Sequence, residues 1–211
     1  HPVNCLLPRT DSEYWIGTLD GLVVYDDHQK DTSFINDSGK NALSNTNVIC
    51  ILQDNEGNVW MGTYYGGLNL RHNRDNSFGQ IFYTGYEGTF YGKLVHALTP
   101  DGLGNLWAGT EDGNLNKLNF SDRSSVSYSN KKGFPANLNI HGLLQEENAL
   151  WIATYNKGLF LYDLNSDIIT KHPGLPTDQC VCILKTEDGS ILIGTTYGLY
   201  RYDRKTDSFE Y

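Results

Sequence analysis

The sequence is poor in basic residues and has no long hydrophobic run. Sixteen Lys and Arg stand against 25 Asp and Glu, which gives a formal net charge of −9. This charge repels phosphate backbones and anionic membranes, so we expect no nucleic acid partner for this segment. No apolar stretch reaches the roughly 18 to 20 residues that span a bilayer, and the first residues lack a signal-peptide pattern. We therefore expect no membrane contact in this segment.

Helical periodicity and a ligand-like histidine spacing are also missing. No segment repeats apolar residues at the helical period, which excludes an α-helical fold. The histidines are scattered without a pair such as H-x-H, so we expect neither a metal nor a cofactor. Cys5, Cys50 and Cys182 fall at one position of a repeat, and Cys180 lies two residues before the last of them. We predict that all four are small core residues rather than disulfide partners.

The sequence does contain a repeat, and its clearest copy is DNEGNVWMGTYYGGLNL, from Asp54 to Leu70. Asp54 and Gly57 have the side chains of a tight turn, since Asx side chains cap their own backbone and Gly adopts positive φ. The β-branched and aromatic residues from Val59 to Thr63 predict a strand. Gly66 then begins a second turn into an alternating segment. The unit therefore predicts two linked hairpins.

Four further copies become visible when Trp60 is used as the anchor. They begin at Trp15, Trp107, Trp151 and Leu192. The anchors lie roughly 41 to 47 residues apart, which is typical of repeat folds built from small sheets. Because the four tryptophans recur at one position, we predict that they pack between neighbouring units.

Each repeat also has a short apolar run before the anchor and a β-rich segment after the Gly-Leu pair. Four antiparallel strands per repeat indicate an all-β fold, the β-propeller. We treat residues 1–211 as one propeller segment, with blades at about 3–35, 48–83, 93–128, 139–171 and 180–211. No strand is left over to close a ring, so we expect an arc of a larger, seven-bladed propeller; the alternative is a closed five-bladed ring.

The stretch from Val48 to Leu68, V-I-x-I-L-x-D-x-x-G-N-V-W-x-G-T-x-x-G-G-L, resembles the two-component regulator propeller repeat, and the other four copies share it. The resemblance implies the periplasmic sensor region of a Bacteroides-type hybrid two-component histidine kinase. It implies an oligosaccharide ligand, a signal to a histidine kinase and transcriptional regulator, and no enzymatic activity in this segment. It also implies other blades and a following signalling domain in the same parent chain, and a homodimer as the full sensor.

We expect a ligand on the face where the connections between blades meet the turn between the second and third strands. Aromatic rings suit the C–H face of a sugar, and fixed polar groups suit its hydroxyls. The candidate ligand-binding residues are Tyr64, Tyr65, Tyr155, Asn156, Tyr197, Glu111 and Asp112. Tyr86, Phe90 and Tyr91 are expected to add aromatic surface, and Arg71 and Lys157 are available for an anionic sugar.

Two features of the sequence are similar to those of propeller enzymes. The turns at Asp54 and Asp101 resemble the Asp boxes of sialidases, but the spacing differs by a residue and no facing carboxylate pair can be named. A streptogramin-lyase-like propeller would need a histidine base and a bound metal. His96 and His141 lie in inner strands and could approach the central channel, but the histidines lack a ligand-like spacing. We therefore assign no catalytic residue. The lyase-like enzyme and a protein-interaction propeller are the alternative functions.

Overall fold

The computed structural model describes residues 2–35, 42–74, 78–81, 89–112, 115–122, 124–128 and 131–211. Every regular element in these ranges is a β-strand. Among the residues described, there is no helix with the length and apolar character needed to span a membrane.

The strands form five antiparallel sheets of four, and each sheet is a meander in chain order. The predicted five-bladed β-propeller architecture is confirmed. The strands are β1 (Val3–Pro8), β2 (Glu13–Thr18), β3 (Gly21–Asp26) and β4 (Asp31–Ile35) in blade one; β5 (Val48–Gln53), β6 (Val59–Thr63), β7 (Gly67–Arg71) and β8 (Phe78–Ile81) in blade two; β9 (Val95–Pro100), β10 (Asn105–Thr110), β11 (Leu115–Asn119) and β12 (Ser125–Ser127) in blade three; β13 (Ile140–Glu146), β14 (Ala149–Thr154), β15 (Gly158–Asp163) and β16 (Ile168–Lys171) in blade four; and β17 (Cys180–Lys185), β18 (Ile191–Thr195), β19 (Gly198–Asp203) and β20 (Ser208–Glu210) in blade five.

The anchor tryptophans pack between blades, as predicted. Trp15 of blade one shares a core with Val59 and Met61 of blade two, and the three later tryptophans repeat this contact with the next blade. The indole of Trp60 donates a hydrogen bond to Asp54 Oδ2 (2.9 Å), while Oδ1 accepts from two turn amides. The Asp54 carboxylate therefore holds both the turn and the core ring in place.

The small residue two positions after each anchor allows the blades to approach closely. A Cβ added at Gly62 would lie 2.5 Å from Cys50 Sγ and 2.6 Å from the carbonyl oxygen of Val95 in the next blade. The Thr that follows, Thr63, donates its hydroxyl to the carbonyl oxygen of Gly67 across the turn (3.0 Å). The motif is thus explained by packing and backbone hydrogen bonding.

The same register irregularity occurs in all five inner strands. In blade one the pairing passes from Val3 to Cys5, and each of the other blades skips the equivalent residue. Such a bulge redirects the side chain of the extra residue. The skipped residues are Asn4, Ile49, His96, His141 and Val181.

The outer faces of the first and last blades are open to solvent. Val3 is 63% exposed, whereas its blade-two equivalent, Val48, is 0% exposed. Leu199 is 56% exposed, whereas Leu68 at the same position of blade two is 0% exposed. Inner strands contact their neighbours in chain order, from β1 to β17. The five blades therefore form an arc with two uncovered apolar faces.

The uncovered face of blade five corrects one expectation. Cys182 is exposed, although we predicted a core residue, because the blade that covers its equivalents elsewhere is absent from this face. Cys180 is buried, and Cys5 and Cys50 are partly buried. Burial raises the pKa of the Cys5 thiol to about 12. The four cysteines are free thiols.

Candidate functional site

The turn between the second and third strands lies beside the connection that enters the inner strand. In blade two the amide of Tyr64 donates to the carbonyl oxygen of Asn47 (3.0 Å), and in blade four the amide of Tyr155 donates to that of Asn139 (2.8 Å). Equivalent bonds occur in blades three and five. These bonds bring the two kinds of loop together on one face of the propeller.

The tyrosines predicted for this face expose their rings. Tyr64 and Tyr65 meet edge to face with ring centroids 4.7 Å apart, and Tyr65 takes a positive φ of 57° at the tip of the turn. Tyr155, Tyr197 and Tyr91 are exposed as well. The face therefore offers aromatic planes on several blades.

Two of the predicted polar residues hold loops in place. Both carboxylate oxygens of Asp112 accept from the amide of Lys93, at 3.2 and 3.0 Å. Asn156 donates to the carbonyl oxygen of Asn137 (2.8 Å) and accepts from the amide of Asn139 (3.1 Å). These hydrogen bonds give both side chains a structural role on this face, and their role in binding stays a prediction.

Three other expectations need a correction or a comment. Phe90 is 1% exposed and packs in the core between blades two and three, not on the ligand face. The Arg71 guanidinium lies 4.7 Å from the ring centroid of Trp15, and Arg71 pairs with Val59 at the opposite end of the blade. Tyr86 lies outside the described residues.

A column of four side chains joins blades three and four on the predicted face. His96 Nε2 lies 2.9 Å from Glu111 Oε2. The His96 and His141 rings are stacked, with centroids 4.2 Å apart and planes 17° from parallel. Tyr155 stacks on the other side of His141, with centroids 5.1 Å apart. The structure thus brings Glu111 and Tyr155, both predicted site residues, together with two inner-strand histidines.

The two histidines meet because of the repeat. His96 and His141 are the bulge residues of consecutive inner strands. Glu111 and Tyr155 likewise directly follow the Thr that ends the second strand in the same two blades. A search for closely spaced ligands misses this pair, since its members lie one repeat apart. Alignment of the repeats places both histidines at the same position of consecutive inner strands, and this is the sequence signal that indicates the pair.

Burial keeps both imidazoles neutral near pH 7. The pKa of His141 is lowered to about 4, mainly by burial and also by the neighbouring His96, while Glu111 opposes the shift. Burial also lowers the pKa of His96, and this outweighs the contact with Glu111. His141 Nε2 is buried without a hydrogen-bond partner among the described residues. An unsatisfied buried group of this kind costs about 1 to 3 kcal/mol.

Comparison with known proteins agrees with the repeat assignment. The model of the two component regulator propeller family matches residues 42–65, which overlap the stretch from Val48 to Leu68 that resembles this repeat. A search of curated proteins found no match.

Solved structures share the fold over nearly the whole chain. The extracellular domain of a protein described as a hybrid two component system from B. thetaiotaomicron superposes with a TM-score of 0.85 at 20% identity, covering 99% of this chain and 29% of that one. A second extracellular domain from the same organism, described as a one component system, gives 0.79 at 19% identity over 99% and 30%. Virginiamycin B lyase from Staphylococcus aureus gives 0.73 at 13% identity over 96% and 67%. The chain thus spans under a third of the first two proteins, and these likenesses show a shared propeller fold.

Proposed function

We propose that this chain is part of the extracytoplasmic, periplasmic sensor region of a hybrid two-component histidine kinase, and that its propeller recognises an oligosaccharide. The observation that carries the proposal is the fold likeness to extracellular domains of two-component systems over 99% of the chain, together with the match of the family repeat. The segment itself supplies recognition rather than catalysis.

The loop face has the chemistry that an oligosaccharide needs. Exposed rings of Tyr64, Tyr155 and Tyr197 offer flat apolar surfaces for sugar C–H groups. Glu111, 36% exposed at its side chain, offers a carboxylate next to the histidine pair for sugar hydroxyls. The site combines aromatic planes with a fixed polar group on the same face.

The two uncovered apolar faces support further blades of the same parent chain as partners. Val3 on one end and Leu199 on the other occupy positions that are fully covered inside the arc. A neighbouring blade would bury both types of surface in the way that the internal blades already do. A following signalling domain and a homodimer of the full sensor belong to the same proposal and rest on the resemblance to the sensor family.

A sensor works only if its ligand binds one signalling state better than the other. Each tenfold shift between two states requires about 1.4 kcal/mol of differential binding energy. Micromolar binding supplies about 8 kcal/mol in total, so a fraction of it suffices for a large bias.

The test is a panel of oligosaccharides titrated by calorimetry into the full extracytoplasmic region. We expect binding that weakens when Tyr64, Tyr155 or Tyr197 is changed to Ala. Tyr25→Ala is the matched control, since Tyr25 lies at the opposite end of its blade, where it pairs with Tyr14. Binding that is unchanged in all three variants would reject this site, and tight capture of a protein with no glycan bound would favour the protein-interaction function.

A lyase-like enzyme is the second candidate, and the His96–His141–Glu111 cluster is the observation that favours it. From the sequence we can name no nucleophile with a base and no facing pair of carboxylic acids, so we expect no turnover of glycosides or lactones. Metal-dependent elimination that is lost in His96→Ala or His141→Ala would contradict this expectation.

A further inference from the structure

We propose that His96, Glu111 and His141 form a binding site for a divalent transition metal ion of the Zn²⁺ class. One ligand atom from each residue can be chosen so that all three lie within 4.8 Å of one another. In a tetrahedral site with bonds of about 2.0 to 2.2 Å, neighbouring ligand atoms are about 3.3 to 3.6 Å apart. The three side chains are therefore close to the required separation before any ion is bound.

The type of ligand decides which ion fits. Two imidazole nitrogens and one carboxylate oxygen suit Zn²⁺, Co²⁺ or Ni²⁺, whereas Ca²⁺ and Mg²⁺ prefer oxygen ligands. A neutral imidazole has a nitrogen lone pair that can bind an ion. His141 Nε2 is also buried without a hydrogen-bond partner among the described residues, and an ion would give it one. Three protein ligands leave a fourth position for water or for an oxygen of a bound ligand.

Binding requires a small rearrangement of the histidine pair. An ion lies in the plane of an imidazole that ligates it, but the two rings are stacked only 17° from parallel. The rings must tilt toward each other, and the contact between His96 Nε2 and Glu111 must open to admit the ion. Glu111 lies in a turn and is 36% exposed at its side chain, so its carboxylate can change position as the ion enters.

The test uses the chain with any polyhistidine tag removed. Co²⁺ is titrated with visible absorption as the readout, and Zn²⁺ and Ca²⁺ are titrated by calorimetry. We expect one Zn²⁺ or Co²⁺ per chain, a tetrahedral Co²⁺ spectrum, and at least about a hundredfold weaker binding of Ca²⁺. Of the six histidines, we expect the ring ¹⁵N signals of two to shift on addition of Zn²⁺.

Variants locate the site. His96→Ala, His141→Ala and Glu111→Gln should each weaken Zn²⁺ binding by at least about tenfold. The matched controls are His28→Ala and Glu187→Gln, whose side chains are exposed, and these should bind Zn²⁺ like the parent chain. If a histidine variant does not fold, Zn²⁺ binding by Glu111→Gln tests the site, because this variant changes a partly exposed turn residue and should fold. Absence of Zn²⁺ binding, equal binding of Ca²⁺, or equal losses in the controls would overturn the proposal.

Discussion

The close approach of neighbouring blades makes a prediction about one pair of glycines. Gly62 in blade two and Gly194 in blade five occupy the same repeat position, and neither has a positive φ. A Cβ at Gly62 would meet Cys50 Sγ at 2.5 Å and two atoms of Val95, in the next blade, at 2.6 and 2.8 Å. A Cβ at Gly194 would meet only Cys182 Sγ, also at 2.5 Å. The same substitution thus meets the next blade at one site but not at the other.

The expected magnitudes follow from these contacts. The backbone oxygen of Val95 cannot move without shifting its strand, and overpacking of this kind costs about 1 to 3 kcal/mol. The lower entropy of an unfolded alanine chain offsets about 0.4 to 1 kcal/mol of that cost. At Gly194 the exposed Cys182 side chain can rotate away, so the substitution has little steric cost. The lower entropy of the unfolded chain then remains as a small stabilising effect. We expect Gly62→Ala to lower stability by about 1 to 2 kcal/mol and Gly194→Ala to leave it unchanged or raise it slightly.

Thermal unfolding followed by tryptophan fluorescence measures the difference. For a chain of this size each kcal/mol moves the midpoint by about 2 to 4 °C, so Gly62→Ala should unfold about 2 to 8 °C lower than the parent chain. Gly194→Ala serves as the control, since the chemical change and the strand position are the same. An equal decrease of the unfolding midpoint in both variants would refute the conclusion that this face of blade five is uncovered. An unchanged unfolding midpoint in Gly62→Ala would refute the close contact between blades two and three.

Three further predictions follow from hydrogen bonding, titration and the end faces. Trp60→Phe removes the indole hydrogen bond to buried Asp54 and should cost about 1 to 3 kcal/mol in urea unfolding; a cost below about 0.5 kcal/mol would show that the bond contributes little. The pKa values of His96 and His141 are lowered in the folded chain, so the unfolded chain binds more protons in acid; stability should be level above about pH 6.5 and fall toward pH 4, and an unchanged pH slope in His141→Gln would contradict this cause. The isolated chain should self-associate with rising concentration in sedimentation experiments, and Leu199→Glu should reduce this; a parent chain that is monomeric at every concentration would contradict association through the end faces.

The blade architecture was predictable because its determinants are local. The Asp54 turn, the Trp60 anchor and the strand alternation around them lie within one short stretch, and each copy repeats the same backbone chemistry. The structure confirms the turn and the position of the tryptophan between blades. Interactions between neighbours in sequence are encoded directly by residue type and order.

The ligand face was predictable only in part. The turns that carry Tyr64 and Tyr155 are located by the repeat, so their exposure on one face was anticipated. The direction of a side chain in a long connection is not given by its position in the sequence, and Phe90 accordingly points into the core. Arg71 was misplaced because it ends its strand at the far side of the sheet.

The sequence by itself determined the repeat, the four strands of each blade and the tryptophan layers between them. Only the tertiary structure decided that Cys182 is exposed and that His96 stacks on His141. Burial at a blade face depends on whether another blade covers it, and the repeat pattern is the same in either case. The histidine contact depends on the bulges that redirect two side chains and on the curvature that brings consecutive inner strands together, so residues about one repeat apart become neighbours in space.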